Sequence, residues 1–542
     1  MDAVRSTRLR DVAFALLVGL TLGACAEPKA VAPAVPSTGD VAGAIDGATG
    51  TVFHDRDGDG QRDADEPGLS GVRVSNGRDV VATDAEGRYA LAVEGDTEIF
   101  VIKPRGWMVP TGEHNLPRYF YLHRPDGSPT SRDPGIAPTG PLPDAIDFPL
   151  TPQDEPDTFR ALFFGDTQVR TEREVEWLDA DIVEQLVGFD GAFGVTLGDL
   201  VFDSLHLFDD LNRSIARIGL PWFSVVGNHD LNSDARVDEL ANETFNRVYG
   251  PADYAFDWGP VHFVVLDDVF WSWNEEKNRG GYRGRATEET LAFIENDLAF
   301  VPKDTLTVFL MHIPLKGLDN ATKLMALFAD RPWTLSVSAH THFAQEHWLG
   351  AGDGWTGERP HHHVINVTTC GSWWRGERDA DGIPHTTMRD GGPNGYTIVT
   401  FDGADYRLDF RAAREPADRQ MNVHVPDGLV AGRTGDTRVH VNVFAGGDRT
   451  RVDMRVDGGD WAALDQVREP DPAYVALVEH EKTLNPPPKP ALPAPIDCPH
   501  LWAGTLPGNL PAGEHLIEVR ATDIWERRVL SSRALSVGAA DD

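Results

Sequence analysis

Three stretches decide the fold: FRALFFGDTQ at 159–168, FGVTLGDLVFD at 193–203 and WFSVVGNHD at 222–230. Each is a short apolar run that stops on glycine and then a polar residue: Gly165-Asp166, Gly198-Asp199, Gly227-Asn228. Apolar runs of this length bounded by turn residues read as buried strands. They recur about every 30 residues, the span of one strand–helix–strand crossover. Between the first two, 171–188 predicts a helix: Thr171 and Glu174 form a capping box, and Val175, Leu178, Ile182 and Leu186 share one face. Leu205, Phe208, Leu211, Ile215 and Ile218 mark a second helix. Further on come strand 261–266, helix 287–299, strand 306–311, helix 320–329 and strand 334–338. The alternation specifies α/β layers with right-handed crossovers, in which ligands bind beyond the carboxyl ends of the strands.

Five strand ends are polar: Asp166-Thr167-Gln168, Asp199 to Asp203, Asn228-His229-Asp230, His312 after Met311, and His340-Thr341-His342 after Ala339. An Asp behind a strand-end glycine is ordinarily a turn former or helix cap, and a lone His in an apolar run is ordinarily a core residue. Neither reading accounts for five such blocks ending five strands. A two-metal site does. Ions held ~3.5–4 Å apart repel, and a shared carboxylate offsets the repulsion. Asp199 is the candidate bridge. Asp166, Gln168 and His342 complete the set for one ion, and Asn228, His312 and His340 the set for the other. Mixed oxygen and imidazole donors suit Mn²⁺, Fe, Zn²⁺ or Mg²⁺ better than Ca²⁺. Two such ions lower the pKa of a bridging water and bind phosphate oxygens.

The GDxxxD, GNHD and AHTH blocks, in this order, resemble the signature of the calcineurin-like metallophosphoesterases over about 159–410. The resemblance implies a four-layer αββα core and hydrolysis of a phosphate mono- or diester. It also implies that His229 protonates the leaving oxygen or stabilises the transition state, with Asp203 orienting it. Two positions depart from the family pattern. Gln168 stands where a histidine is usual, and Ala339 where a glycine is usual. The Gln form is similar to a branch carrying β-modules on both sides, in which the segments 370–374 (CGSWW) and 390–396 (DGGPNGY) also look familiar.

Those β-modules are legible here. Residues 49–150 show short β-type runs at 72–75, 89–93, 99–103 and 119–122, broken by Gly, Pro, Asn and Asp, the pattern of a small sandwich. Their first loop, Asp55-x-Asp57-x-Asp59-Gly60-Gln61-x-Asp63-x-x-Glu66, fits a Ca²⁺ loop. Strand-like flanks argue against a helix–loop–helix sensor, so the reading is a structural Ca²⁺ site, similar to β-modules of bacterial surface proteins. The catalytic unit is assigned to 156–412. Residues 413–540 read as a C-terminal β-sandwich, with strands at 439–443 and 516–521 and a Pro-rich loop at 485–495. The tract His361-His362-His363 reads as a polar loop, and Trp373 and Trp374 as packed core.

The chain of 542 residues has 85 acidic and 49 basic side chains and a net charge of −36. Such a surface repels nucleic acid, and an anionic substrate then needs bound metal for local positive charge. No protein partner can be inferred. Three cysteines, Cys25, Cys370 and Cys498, do not make a disulfide scaffold. Arg5, Arg8 and Arg10 precede the apolar run 12–22 and Leu22-Gly23-Ala24-Cys25. The run is too short to span a bilayer, and small residues before a cysteine resemble a bacterial lipobox. The expectation is a lipoprotein signal at 1–24, lipidation of Cys25, a flexible tether to residue 48, and an extracytoplasmic body anchored to a bacterial membrane (its periplasmic face in a Gram-negative cell). The alternative is a non-catalytic cell-surface binding protein with a metal-stabilised core. Wild type should partition into the detergent phase of a Triton X-114 extract and Cys25→Ser into the aqueous phase. An aqueous wild type would refute the anchor.

Overall fold

The computed structural model describes residues 47–539. The segment expected to be a signal, Cys25 and nearly all of the expected tether lie outside them. Among the described residues no helix is long and apolar enough to cross a membrane.

Two mixed sheets form the centre. The five-stranded sheet has the order Trp222–Val225, Phe193–Leu197, Thr158–Phe164, Gly395–Asp402, Asp405–Ala412. Its first three strands are parallel and its last two antiparallel. The six-stranded sheet runs Tyr254–Trp258, Val261–Val265, Leu306–Leu310, Thr334–Ser338, His361–Ile365, Gln345–Leu349, with the middle four parallel. The sheets meet through aromatic side chains: Phe193 lies 5.3 Å from Phe256 and 5.2 Å from Phe263, and Phe401 5.3 Å from Phe263. The helices Glu172–Leu178 and Phe208–Ile215 follow strands of the first sheet, and Glu288–Leu298 and Ala321–Ala326 follow strands of the second. The core is thus αββα, with a β-sandwich on each side. Because the site-bearing strands are parallel within each sheet, their polar ends share one edge.

The helix expected over 171–188 is α-helical only to Leu178, continues as a π-turn over Asp179–Val183, and ends as a 3₁₀ turn. The cause is Asp181, which is buried in the π-turn and accepts hydrogen bonds from Asn394 and Arg414, each at 2.7 Å. The capping box is also shifted. Thr171 Oγ1 accepts from Glu174 N, but the Glu174 carboxylate reaches Arg170 N instead of Thr171 N.

The His361–His363 tract is not a loop. It forms a fully buried strand, and the correction has a clear cause. Ser336 Oγ lies 2.7 Å from both His361 Nε2 and His363 Nδ1, Thr334 Oγ1 2.8 Å from His361 Nδ1, and Tyr406 Oη 2.7 Å from His362 Nδ1. Neighbouring hydroxyls meet every imidazole nitrogen but His362 Nε2, and burial holds the rings neutral. A polar tract can therefore pair as a core strand.

The N-terminal sandwich has two four-stranded sheets. One has the order Arg88–Ala92, Gly47–His54, Phe148–Pro152, Trp107–Met108. The other has the order Val80–Ala82, Arg73–Ser75, Thr97–Val101, Phe120–His123. Its core is continuous with the catalytic core. Arg73 reaches across to Asp297 (2.6 Å) and Asp257 (2.7 Å), and His262 bonds both carboxylates from the other side. Lys103 is buried against Glu155 at 2.5 Å. Removing one member of such a buried network costs about 3–5 kcal/mol, because a charge is left uncompensated.

The C-terminal sandwich has its own core around Val439, Val441, Trp502, Ile517 and Val519. It also holds a helix the apolar pattern does not reveal, Pro472–Thr483. Its signal was the Asp471-Pro472 pair. Asp471 caps Ala473 N at 2.6 Å and Tyr474 N at 3.3 Å, and proline at the first helical position needs no partner for a missing N–H.

Candidate metal centre

The strand ends close on one another because two glycines permit it. A Cβ on Gly198 would lie 2.4 Å from His312 Nδ1, and one on Gly227 would lie 2.0 Å from Asp199 N. With those positions bare, Asp199 Oδ1 accepts from His229 N at 2.8 Å and stands 3.3 Å from His312 Nε2. His312 Nε2 is also 3.1 Å from both Asn228 Oδ1 and His340 Nδ1. Donor atoms of Asp199, His312 and His340 form a set with metal-holding spacing. Asp166 is fully buried. Its Oδ2 accepts from His340 N at 3.1 Å, its Oδ1 lies 3.8 Å from His342 Nε2, and that Oδ1 has no hydrogen-bond partner.

Two backbone carbonyls set the imidazole tautomers. Leu197 O takes His312 Nδ1–H at 2.9 Å, and Gly371 O takes His342 Nδ1–H at 2.6 Å. Each ring therefore presents Nε2 to the centre. Lone pairs of His312, His340, Asn228 and Asp199 then face one gap, an arrangement stable only with a proton or cation among them. Without a metal, a proton takes that place. Burial opposes charge on His312, but Asp199 and Asp166 outweigh it and raise His312 to about 10. Burial and the His312 charge hold His340 down at about 4. Burial, then repulsion from Asp199, lifts Asp166 to about 7. The orphaned Asp166 oxygen and the convergent lone pairs fit divalent cations.

Gln168 is buried beside Asp199. Its Nε2 donates to Asp199 Oδ2 at 2.9 Å, and its Oε1 faces Cys370 Sγ at 3.8 Å. Ligation through oxygen would require the amide to turn over. His229 and Asp203 form a pair at the rim, with Nδ1 2.8 Å from Oδ1. The His229 ring stacks on Phe202 at 4.1 Å and is a quarter exposed. Burial lowers its pKa, but the Asp203 hydrogen bond and the Asp199 charge reverse the sign, so His229 is held more basic than a free imidazole.

The backbone here is under strain. Gln168, Asp199, Asp203, His340 and His342 all have positive φ (41°, 49°, 58°, 70° and 56°), as do Trp373 (59°) and Trp374 (55°). Each costs on the order of 1 kcal/mol or more and persists only where the surroundings over-determine it. Those surroundings include residues the sequence reading passed over. Asp230 is buried and accepts from Leu200 N, Val201 N and Gly227 N at 2.9–3.1 Å, tying two site loops together. Asp268 does the same for His312 N and Ile313 N. Trp373 is half-buried, not core, and stacks on His342 at 4.0 Å. Trp374 is buried and donates to Thr167 O. Asp230 could have been found as the last residue of GNHD, but Asp268 carries no pattern. Cys370 and Cys498 are both buried and free.

In the N-terminal loop, donor atoms of Asp55, Asp57 and Asp59 lie together. The buried Asp55 carboxylate accepts from Gly58 N (2.7 Å) and Gly60 N (3.0 Å), and Glu66 from Arg56 N and Asp63 N.

Three family models match successive parts of the chain. "N terminal of Calcineurin-like phosphoesterase" matches 56–137, "Calcineurin-like phosphoesterase" 159–344, and "C terminal of Calcineurin-like phosphoesterase" 363–528. Comparison with curated proteins gave no match. Among solved structures, a purple acid phosphatase from seeds of yellow lupin (Lupinus luteus) matches with 13% identity and a TM-score of 0.34, over 63% of this chain and 71% of that one.

Proposed function

The chain belongs to the calcineurin-like phosphoesterase family and is a metal-dependent phosphoric ester hydrolase, and on that premise we propose a dinuclear enzyme that hydrolyses a phosphate mono- or diester outside the cytoplasm. The observation that carries the proposal is the convergence of Asp199, Asn228, His312 and His340 on one gap, beside an unpartnered Asp166 oxygen. Asp166, His342 and Gln168 would hold one ion, Asn228, His312 and His340 the other, and Asp199 both. When bound, the ions supply a nucleophile at neutral pH and charge for the phosphate oxygens.

The chain's own groups do the rest. The carbonyls of Leu197 and Gly371 fix the two imidazoles, so no ring turns during a cycle. Asp203 holds Nδ1–H of His229, leaving Nε2 to carry a proton toward the leaving oxygen. The Asp203 hydrogen bond and the Asp199 charge favour the protonated ring. Phe202 fixes the plane of the ring. With its amide as it stands, Gln168 donates to Asp199 and fixes that carboxylate; turned over, it would offer its oxygen to the first ion.

Two further parts of the proposal stand apart from the centre. The loop 55–66 holds Ca²⁺ as a structural ion, supported by its clustered carboxylates. Asp63 is raised, by desolvation and by Asp57 and Asp59, as expected of acids crowded without a counter-charge. Cys25 carries the lipid that tethers the enzyme to the membrane.

His229→Gln should retain metal and lose ~10²–10⁴-fold in turnover, the usual worth of a general acid. The loss should be smaller for p-nitrophenyl phosphate than for an alkyl phosphate, whose leaving group needs the proton. Equal losses on the two substrates would remove His229 from this role. For the loop, adding Ca²⁺ to EDTA-treated full-length protein should raise the melting temperature, and Asp59→Ala should abolish that rise. A Ca²⁺ response that survives in Asp59→Ala would place the ion elsewhere.

A further inference from the structure

The strand Gln345–Leu349 ends one central sheet and Asp405–Ala412 ends the other. Stacked sheets separate at their edges, and the gap must be filled by side chains or closed by another element. Here the C-terminal sandwich closes it, through Val443, Ala521, Trp525 and Val529. What remains is a cavity of about 500 Å³, walled on the catalytic side by Val364, Val367 and Phe410. Its size falls within the usual range for small-molecule sites, about 300–1,000 Å³. The mouth carries Leu530, a large apolar side chain that is 67% exposed.

One group in the wall lacks a partner. Glu346 is only 8% exposed, lines the cavity and accepts no hydrogen bond from any described residue. The adjacent donor, His362 Nε2, is 4.0 Å away and itself unpartnered, its other nitrogen being taken by Tyr406. Arg411 and Arg528 also line the cavity, while Arg527 and Arg449, the cations nearest this carboxyl, are committed elsewhere. Arg527 is held by Asp523 (2.6 Å), by Leu408 O (2.7 Å) and by Asp409. Arg449 lies over Trp348, 3.7 Å from the ring centre. The backbone makes room for the carboxylate, since a Cβ on Gly447 would lie 2.4 Å from Glu346 Oε2. A buried carboxyl without a partner is costly in a well-packed protein, and natural chains retain such groups where something outside the chain completes them. Burial lifts Glu346 to about 8, with Asp523 and Asp448 adding and Arg527 opposing.

We propose that this cavity binds a small apolar molecule bearing a cationic nitrogen, which donates to the Glu346 carboxylate while the apolar body packs on Val364, Val367 and Phe410. The site is separate from the metal centre and does not depend on the reading of it. A neutral donor would meet the same geometry, but only a cation also stabilises the ionised form that burial disfavours.

The test uses full-length, metal-loaded protein and two probes of one shape, benzylamine and benzyl alcohol, by isothermal titration calorimetry. Wild type should bind the amine at least about tenfold more tightly, about 1.4 kcal/mol. Glu346→Gln keeps the side-chain shape and should bring the two probes to equal affinity. Val364→Phe, which fills the cavity, should weaken both. Equal binding of the probes to wild type, binding of neither, or an amine preference that survives in Glu346→Gln would overturn the proposal. Unchanged binding in Val364→Phe would overturn its location.

Discussion

One carboxylate joins three loops. Asp199 accepts from His229 N and Gln168 Nε2 while facing His312 Nε2, so the ends of four strands are tied to a single buried charge. A lone buried carboxylate is strongly unfavourable, and its own φ of 49° adds strain. It is retained because the imidazoles opposite it, or the cations they are shaped to hold, compensate the charge. The same electrostatics sorts the histidines. Without a metal, Asp199 and Asp166 outweigh burial at His312, whereas burial and the His312 charge prevail at His340, so the two shift in opposite directions.

The rest of the molecule can be read as support for that arrangement. Asp230 and Asp268 each use one carboxylate to hold backbone N–H groups of the site loops. Behind the His340 loop, Asp390 accepts from Ala344 N at 3.0 Å and from His500 of the C-terminal sandwich at 2.9 Å. The helix Pro472–Thr483 docks by Glu481 onto Glu377 N and His385. On the other side, Arg73 and Lys103 bind the N-terminal sandwich to the six-stranded sheet and its helix. The flanking modules thus share a buried polar network with the catalytic core, and strain at the strand ends is held from both sides.

Much of this was legible in the sequence, for physical reasons. The core strands are fully buried and parallel, so they read as unbroken apolar runs, and each glycine–polar end marks where a backbone must pass close to a side chain. Gly198 and Gly227 meet that need against His312 and Asp199. The residues singled out at 166–230 and 312–342 come together at one edge because parallel strands leave no other place for their ends. What was missed depends on tertiary partners. His361–His363 looked like a loop because the hydroxyls that neutralise it, Thr334, Ser336 and Tyr406, lie 25 to 44 residues away in sequence. The π-turn at Asp181 depends on Arg414, more than 200 residues distant. The contact of the Gln168 amide with Asp199 is likewise set by the fold of two loops and not by spacing.

The central claim is that Asp199 is shared by two cations. Elemental analysis of purified wild type and Asp199→Asn, after loading with Mn²⁺ and gel filtration, tests it most directly. The account predicts two equivalents of metal in wild type and loss of metal together with activity in the mutant, since asparagine cannot offset the repulsion between the ions. Two equivalents retained by Asp199→Asn would contradict it.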